Sequence, residues 1–179
     1  MKKLLGSAAG AALIMVSSLA QANGYIGVNY AQLEQDDRFF GGENFETGEA
    51  IARLGGHINP YFAGELRVGT TVVPEEDTEV VTTLETEVRH EYYISAMLRL
   101  HYKMGFITPY VAAGVSRVSE KLENSAGSDS STEMDTSYAA GIDLNFGERW
   151  GLNAEYFQLA DINGAKRIGP SVGFFFNFH

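Results

Sequence analysis

The 179-residue chain carries 23 acidic against 13 basic side chains, for a formal charge of −10, and has no cysteine. The missing thiols exclude a disulfide scaffold, a thiolate metal site and a Cys nucleophile. The acidity argues against a nucleic-acid partner, because phosphate binding draws on clustered Lys and Arg. A hydrophobic fraction of 45% is too high for a disordered acidic chain, and a mean hydropathy of −0.11 by itself suggests a soluble protein.

The N-terminus points elsewhere. Met1-Lys2-Lys3 is a cationic start, residues 4–19 form an uncharged, mostly apolar run, and Ala20-Gln21-Ala22 supplies the small-x-small pattern of a signal-peptidase site. Cleavage after Ala22 is expected, with the domain at residues 23–179. Removing 22 of the 179 residues leaves 157, and losing Lys2 and Lys3 with no acid takes the charge to −12. No Cys follows the cut, so no lipoprotein anchor is expected. Beyond residue 23 no uncharged stretch reaches the roughly 18 apolar residues of a spanning helix, so any membrane crossing must use strands.

In chain order, strands are predicted at residues 24–34, 46–58, 62–68, 89–103, 107–118, 137–146, 150–159 and 168–178. The fourth is the clearest: His90, Tyr92, Ile94, Ala96, Leu98, Leu100 and Tyr102 alternate with Arg89, Glu91, Tyr93, Ser95, Met97, Arg99, His101 and Lys103. Period-2 alternation of this length means a two-faced strand, not a helix, and one far longer than the usual soluble strand of about 5–6 residues. The sixth sets Tyr138, Ala140, Ile142, Leu144 and Phe146 against Ser137, Ala139, Gly141, Asp143 and Asn145. The last sets Ile168, Pro170, Val172, Phe174, Phe176 and Phe178 against Gly169, Ser171, Gly173, Phe175 and Asn177.

The connections alternate in length. Tight turns are expected at Asn59-Pro60, Met104-Gly105-Phe106 and Gly147-Glu148-Arg149, and longer polar links at residues 35–45, 74–87, 119–133 and 160–167. Long and short connections in alternation predict an all-β, eight-stranded antiparallel up-and-down barrel with one tight rim and one elaborated rim, as in transmembrane β-barrels. Tyr92 and Tyr102 stand ten residues apart on the apolar face, about 33 Å along a strand. At a tilt near 40° that projects to roughly 25 Å, the height of a lipid-facing band between aromatic girdles. Tyr92 and Tyr102 are therefore the expected girdle residues. A soluble lipocalin-type barrel would need a well-charged exterior, whereas the faces opposite the apolar ones are rich in Gly, Ser and Ala with scattered charge.

Three segments carry a family likeness: Gly24-Tyr25-Ile26-Gly27-Val28, Thr108-Pro109-Tyr110-Val111-Ala112-Ala113-Gly114-Val115 and Phe174-Phe175-Phe176-Asn177-Phe178. With these the mature chain resembles the small outer-membrane β-barrel family that includes opacity-type porins and the transmembrane domain of outer-membrane protein A. The resemblance implies a bacterial cell outer membrane location and outer-membrane lipid and lipopolysaccharide as surroundings. It also implies that the barrel-assembly machinery reads alternating aromatics in the last strand. Phe174, Phe176 and Phe178 match that signal, with His179 following where the family ends on Phe.

The charges on the polar strand faces, Arg53, Glu65, Arg67, Glu91, Arg99, Asp143 and Glu155, are expected inside the lumen. Isolated charges there cost several kcal/mol each, so a paired network is expected, with Arg99 against Glu65 or Glu155, acting as a plug more than a gate. The histidines, His57, His90, His101 and His179, fall in no arrangement that supports a Ser–His nucleophile, so a lipid A-modifying enzyme is the least favoured reading. Residues 74–87 hold Glu75, Glu76, Asp77, Glu79, Glu85 and Glu87 without one base. They lack EF-hand spacing and are expected to be solvated. The expectation is a monomeric barrel with a structural or surface-interaction role, no cofactor and no catalysis; a narrow pore for small solutes and a surface adhesin are the alternatives.

Overall fold

A computed structural model describes residues 23–36, 44–73, 90–124, 127–162 and 165–178. The expected export signal, the acidic run at 74–87, the centre of the first long link and His179 lie outside the described residues. The strands are β1 (Gly24–Asp36), β2 (Asn44–His57), β3 (Phe62–Val73), β4 (His90–His101), β5 (Ile107–Asn124), β6 (Gly127–Phe146), β7 (Trp150–Ile162) and β8 (Ala165–Phe178). Each pairs antiparallel with its sequence neighbours, and β8 closes on β1 from Gly24↔Phe178 to Asp36↔Lys166, making a closed barrel.

Alternation decides which side chains enter it. On β4, Tyr93, Ser95, Met97, Arg99 and His101 are buried inside. Ile94, Leu98, Leu100 and both predicted girdle tyrosines, Tyr92 at 47% and Tyr102 at 58% exposure, face outward. Apolar side chains face outward on other strands too, with Ile26 and Val28 on β1, Val68 on β3, Val111 and Val115 on β5, Leu152 on β7 and Val172 on β8 exposed. Such a surface suits lipid, and a closed ring pairs strand to strand in place of presenting an open edge to the hydrocarbon. At the tight rim, Gly105 and Gly147 take φ of +65° and +73°, which a side chain would strain.

Two predicted links are corrected. Residues 119–133 are not a loop: β5 and β6 stay paired out to Asn124↔Gly127. Residues 160–167 likewise shrink, because β7 reaches Ile162 and β8 starts at Ala165, with a register shift between Gln158 and Asp161. The Ser-, Asp- and Thr-rich stretch of β6 shows no apolar alternation, the feature by which a half-buried strand is recognised, and so its pairing leaves no sequence signal.

Candidate functional site: the barrel lumen

The lumen is stratified along the barrel axis. At the tight rim it opens into a vestibule of about 780 Å³ lined by residues that include Tyr25, His57, Arg99, His101, Asp143, Asn145 and Asn177. Below this comes a layer of paired charge. Glu65, 1% exposed, is its hub: it accepts from Arg53 Nη2 at 2.8 Å, from Arg67 Nε at 2.5 Å and from the Tyr25 hydroxyl, and Arg99 Nη1 lies 3.8 Å away. Arg67, fully buried, also forks onto both oxygens of Glu155 at 2.8 and 2.9 Å. β3 and β7 stand four strands apart around an eight-strand ring, so this bidentate pair spans the lumen from wall to wall.

Neutral groups complete the layer. Tyr110 donates to Glu155 at 2.6 Å and accepts from Asn153, which also donates to Asp143 at 2.7 Å. Asn29 donates to Asn153 and Ser171 and accepts from Arg53. The Arg99 guanidinium carbon sits 3.6 Å from the Tyr110 ring centroid, close enough for a cation–π attraction in a desolvated site. Three guanidiniums face three carboxylates, so the layer is formally neutral. Neutrality alone does not offset the cost of desolvating six charges, and fixed bonds to every head group are what make such burial tolerable.

Toward the long-connection rim the filling mixes bonded serines, Glu49 and Arg167 with a cluster of apolar side chains. Ser95, Ser116 and Ser137 are hydrogen-bonded in a chain that ends on the Leu159 carbonyl. Leu33, Ile51, Tyr93, Met97, Phe157 and Leu159 pack as one buried cluster. Tyrosine rings are seated on glycine at two places. Tyr25 is the cross-strand partner of Gly55 and Tyr93 that of Gly69; a Cβ on either glycine would lie 2.0 or 2.3 Å from the facing ring. Glycine at those two positions lets the tyrosines lie flat along the wall.

Arg53, Glu65, Arg67, Arg99, Asp143 and Glu155 thus lie buried in the lumen. The Glu91 side chain lies outside the described residues. Of the two partners expected for Arg99, Glu65 is found, as an ion pair at 3.8 Å, whereas Glu155 belongs to Arg67; the hydrogen bond of Arg99 goes to Asp143, which was not expected. Which residues stand level across a lumen depends on the stagger accumulated around the ring, which no single strand encodes. Sequence reasoning missed the neutral half of the layer. Tyr25, Asn29, Tyr110, Asn153 and Ser171 share the inward phase of their strands, the one signal available for them. Glu49 and Arg167, buried nearer the long-connection rim, were missed as well. Phe174 and Phe176 flank Trp150 on the outer face, with ring centroids 6.4 and 4.7 Å from it, and Phe178 closes against Gly24.

This architecture has a matching sequence family: the chain fits the outer membrane protein beta-barrel domain over residues 6–178. The chain belongs to that family. Membership places the barrel in the outer membrane. No curated protein sequence matches it. Among solved structures it is similar to the attachment invasion locus protein Ail of Yersinia pestis, at 14% identity over 88% of this chain and 99% of that one, with a TM-score of 0.64. It is similar to Neisserial surface protein A, at 14% identity over 87% and 97% and a TM-score of 0.65. The N-terminal β-barrel domain of Pseudomonas aeruginosa OprF aligns at 16% identity over 88% and 100%, with a TM-score of 0.59. At such identities the likeness is one of fold.

Proposed function

We propose that this outer-membrane barrel is a closed, non-conducting body whose role is structural or surface-interactive, and that it does no catalysis. One observation carries the reading: the Arg67–Glu155 pair bridges β3 to β7 with both side chains fully buried. The apolar cluster beyond it supports the same view, since an ion would meet first a fixed charge layer and then side chains packed together in the lumen. Opening either requires breaking buried ion pairs, at several kcal/mol each. The bonded serines of the lumen end on a backbone carbonyl and not on a histidine, which supports a packing role for them.

The surroundings proposed are outer-membrane lipid and lipopolysaccharide against the apolar face, with the assembly machinery reading the β8 aromatics during insertion. A protein or surface partner would meet the elaborated rim, where the sequence carries six acids at residues 74–87. That charge disfavours a polyanion such as the heparin analogue bound to Ail in one of the similar structures and favours a cationic partner. Planar-bilayer recordings test the central claim. The refolded barrel should show no steady openings, and a large steady conductance in the unmutated protein would overturn it.

A further inference from the structure

We propose that the vestibule at the tight rim is a binding site for one divalent transition-metal ion, held between His57 and His101. The two imidazoles end β2 and β4 and line the same cavity. Only β3 stands between them, and there the cross-strand partner of His57 is the small, buried Ala63. Their ring centroids are 5.2 Å apart. Metal–nitrogen bonds of about 2.0–2.1 Å at a tetrahedral angle put the centroids of two imidazoles on one ion about 5 Å apart, so the pair is spaced for chelation without moving either strand.

The contacts of the two rings leave a nitrogen open on each. His57 Nδ1 lies 3.3 Å from the Asn23 carbonyl oxygen, a contact that favours a proton on Nδ1 and leaves the Nε2 lone pair for a metal. His101 Nδ1 is buried with no hydrogen-bond partner among the described residues, the kind of orphaned acceptor that costs free energy until something coordinates it. His101 is held in place by its backbone N–H, which donates to the Tyr61 carbonyl at 2.8 Å. Among the charged residues lining the cavity, Arg99 and Lys103 oppose a cation, and Asp143 and Glu148 offset them. Neutral imidazoles with water in the remaining positions suit Zn²⁺, Cu²⁺ or Ni²⁺ over Ca²⁺ or Mg²⁺. Tight turns of outer-membrane barrels face the periplasm, so the ion would be drawn from that side.

The test is calorimetric titration of the untagged mature chain, refolded in lipid nanodiscs, with ZnCl₂ and with CuCl₂. One ion per chain is expected, with affinity about tenfold or more weaker in His57→Gln and in His101→Gln. A His90→Gln/His179→Gln variant, which removes the other two histidines, should bind as the parent does. Unchanged binding in both vestibule variants, or binding lost in the His90/His179 variant, overturns the site. Electron paramagnetic resonance of Cu²⁺ on the unmutated protein decides independently of how the variants fold. Two imidazole nitrogens should couple to the copper, and fewer than two leaves His57 and His101 a simple packing pair.

Discussion

Glu65→Gln is the sharpest test of the lumen, because it keeps shape and removes one charge. Glu65 faces three guanidiniums, but their alternatives differ. Arg67 keeps its bidentate pair with Glu155, and Arg99 keeps Asp143. Arg53 is left with a neutral acceptor, Asn29 Oδ1, at 3.4 Å. The layer then holds three cations and two carboxylates, so one buried charge is uncompensated. Removing one partner of a buried pair costs about 3–5 kcal/mol. Only one guanidinium is orphaned, so the cost should stay near that single-pair value and not a multiple of it. Glu155→Gln leaves the same excess of one cation but orphans no guanidinium, because Arg67 stays paired with Glu65, and should cost less, about 1.5–3 kcal/mol, the range of a hydrogen bond to a charged group. Arg53→Met/Glu65→Gln restores neutrality and should recover about 1–3 kcal/mol relative to Glu65→Gln alone. The assay is equilibrium urea unfolding in phospholipid vesicles, followed by the fluorescence of Trp150, the single tryptophan, and by heat-modifiable gel migration. A Glu65→Gln cost below about 1 kcal/mol, or a double variant as unstable as the summed singles, would refute the network as an energetic unit.

Three further outcomes follow from the same wall. Gly55→Ala puts a methyl where the Tyr25 ring lies, 2.0 Å from its Cζ, and should cost about 1–3 kcal/mol in the same urea assay; a neutral result would mean the ring moves freely off its seat. Phe157→Ala empties a fully buried site that also lies 4.9 Å from the Arg67 guanidinium carbon. A loss of about 3–5 kcal/mol is expected, and no loss would show the apolar layer to be loosely filled. Leu98→Arg, midway along the outward face of β4, should destabilise by about 2–4 kcal/mol, and Tyr102→Arg at the rim by about 0–1 kcal/mol. Equal costs would contradict a membrane around this face.

Much of the barrel is decided locally. Inside/outside assignment follows from a side-chain period of two, so Tyr92, Leu98 and Tyr102 could be placed outward and Arg99 inward from β4 alone. Two of the tight turns are equally local, since Gly105 and Gly147 supply the positive φ between β4 and β5 and between β6 and β7. The sequence does not mark the strand ends in the polar hairpins, because backbone pairing there continues through a stretch that lacks the apolar alternation of a half-buried strand. That is why β5 and β6 outrun their predicted bounds toward Asn124 and Gly127.

What the sequence could not decide is who meets whom across the lumen. Arg99, Glu65, Glu155 and Asp143 all have the right phase, and any of the cross-pairings looks equally good on paper. The barrel's closure and stagger set the axial height of each residue, and only then does Arg67 reach Glu155 while Arg99 falls beside Asp143. Across β3, the folded wall also brings the ring centroids of His57 and His101 to 5.2 Å. The initial arithmetic, an acidic chain of near-neutral mean hydropathy, reads as soluble because it averages an apolar outer face with a polar lumen. The alternation in the sequence separates those two faces, and the closed ring determines what the inner one can do.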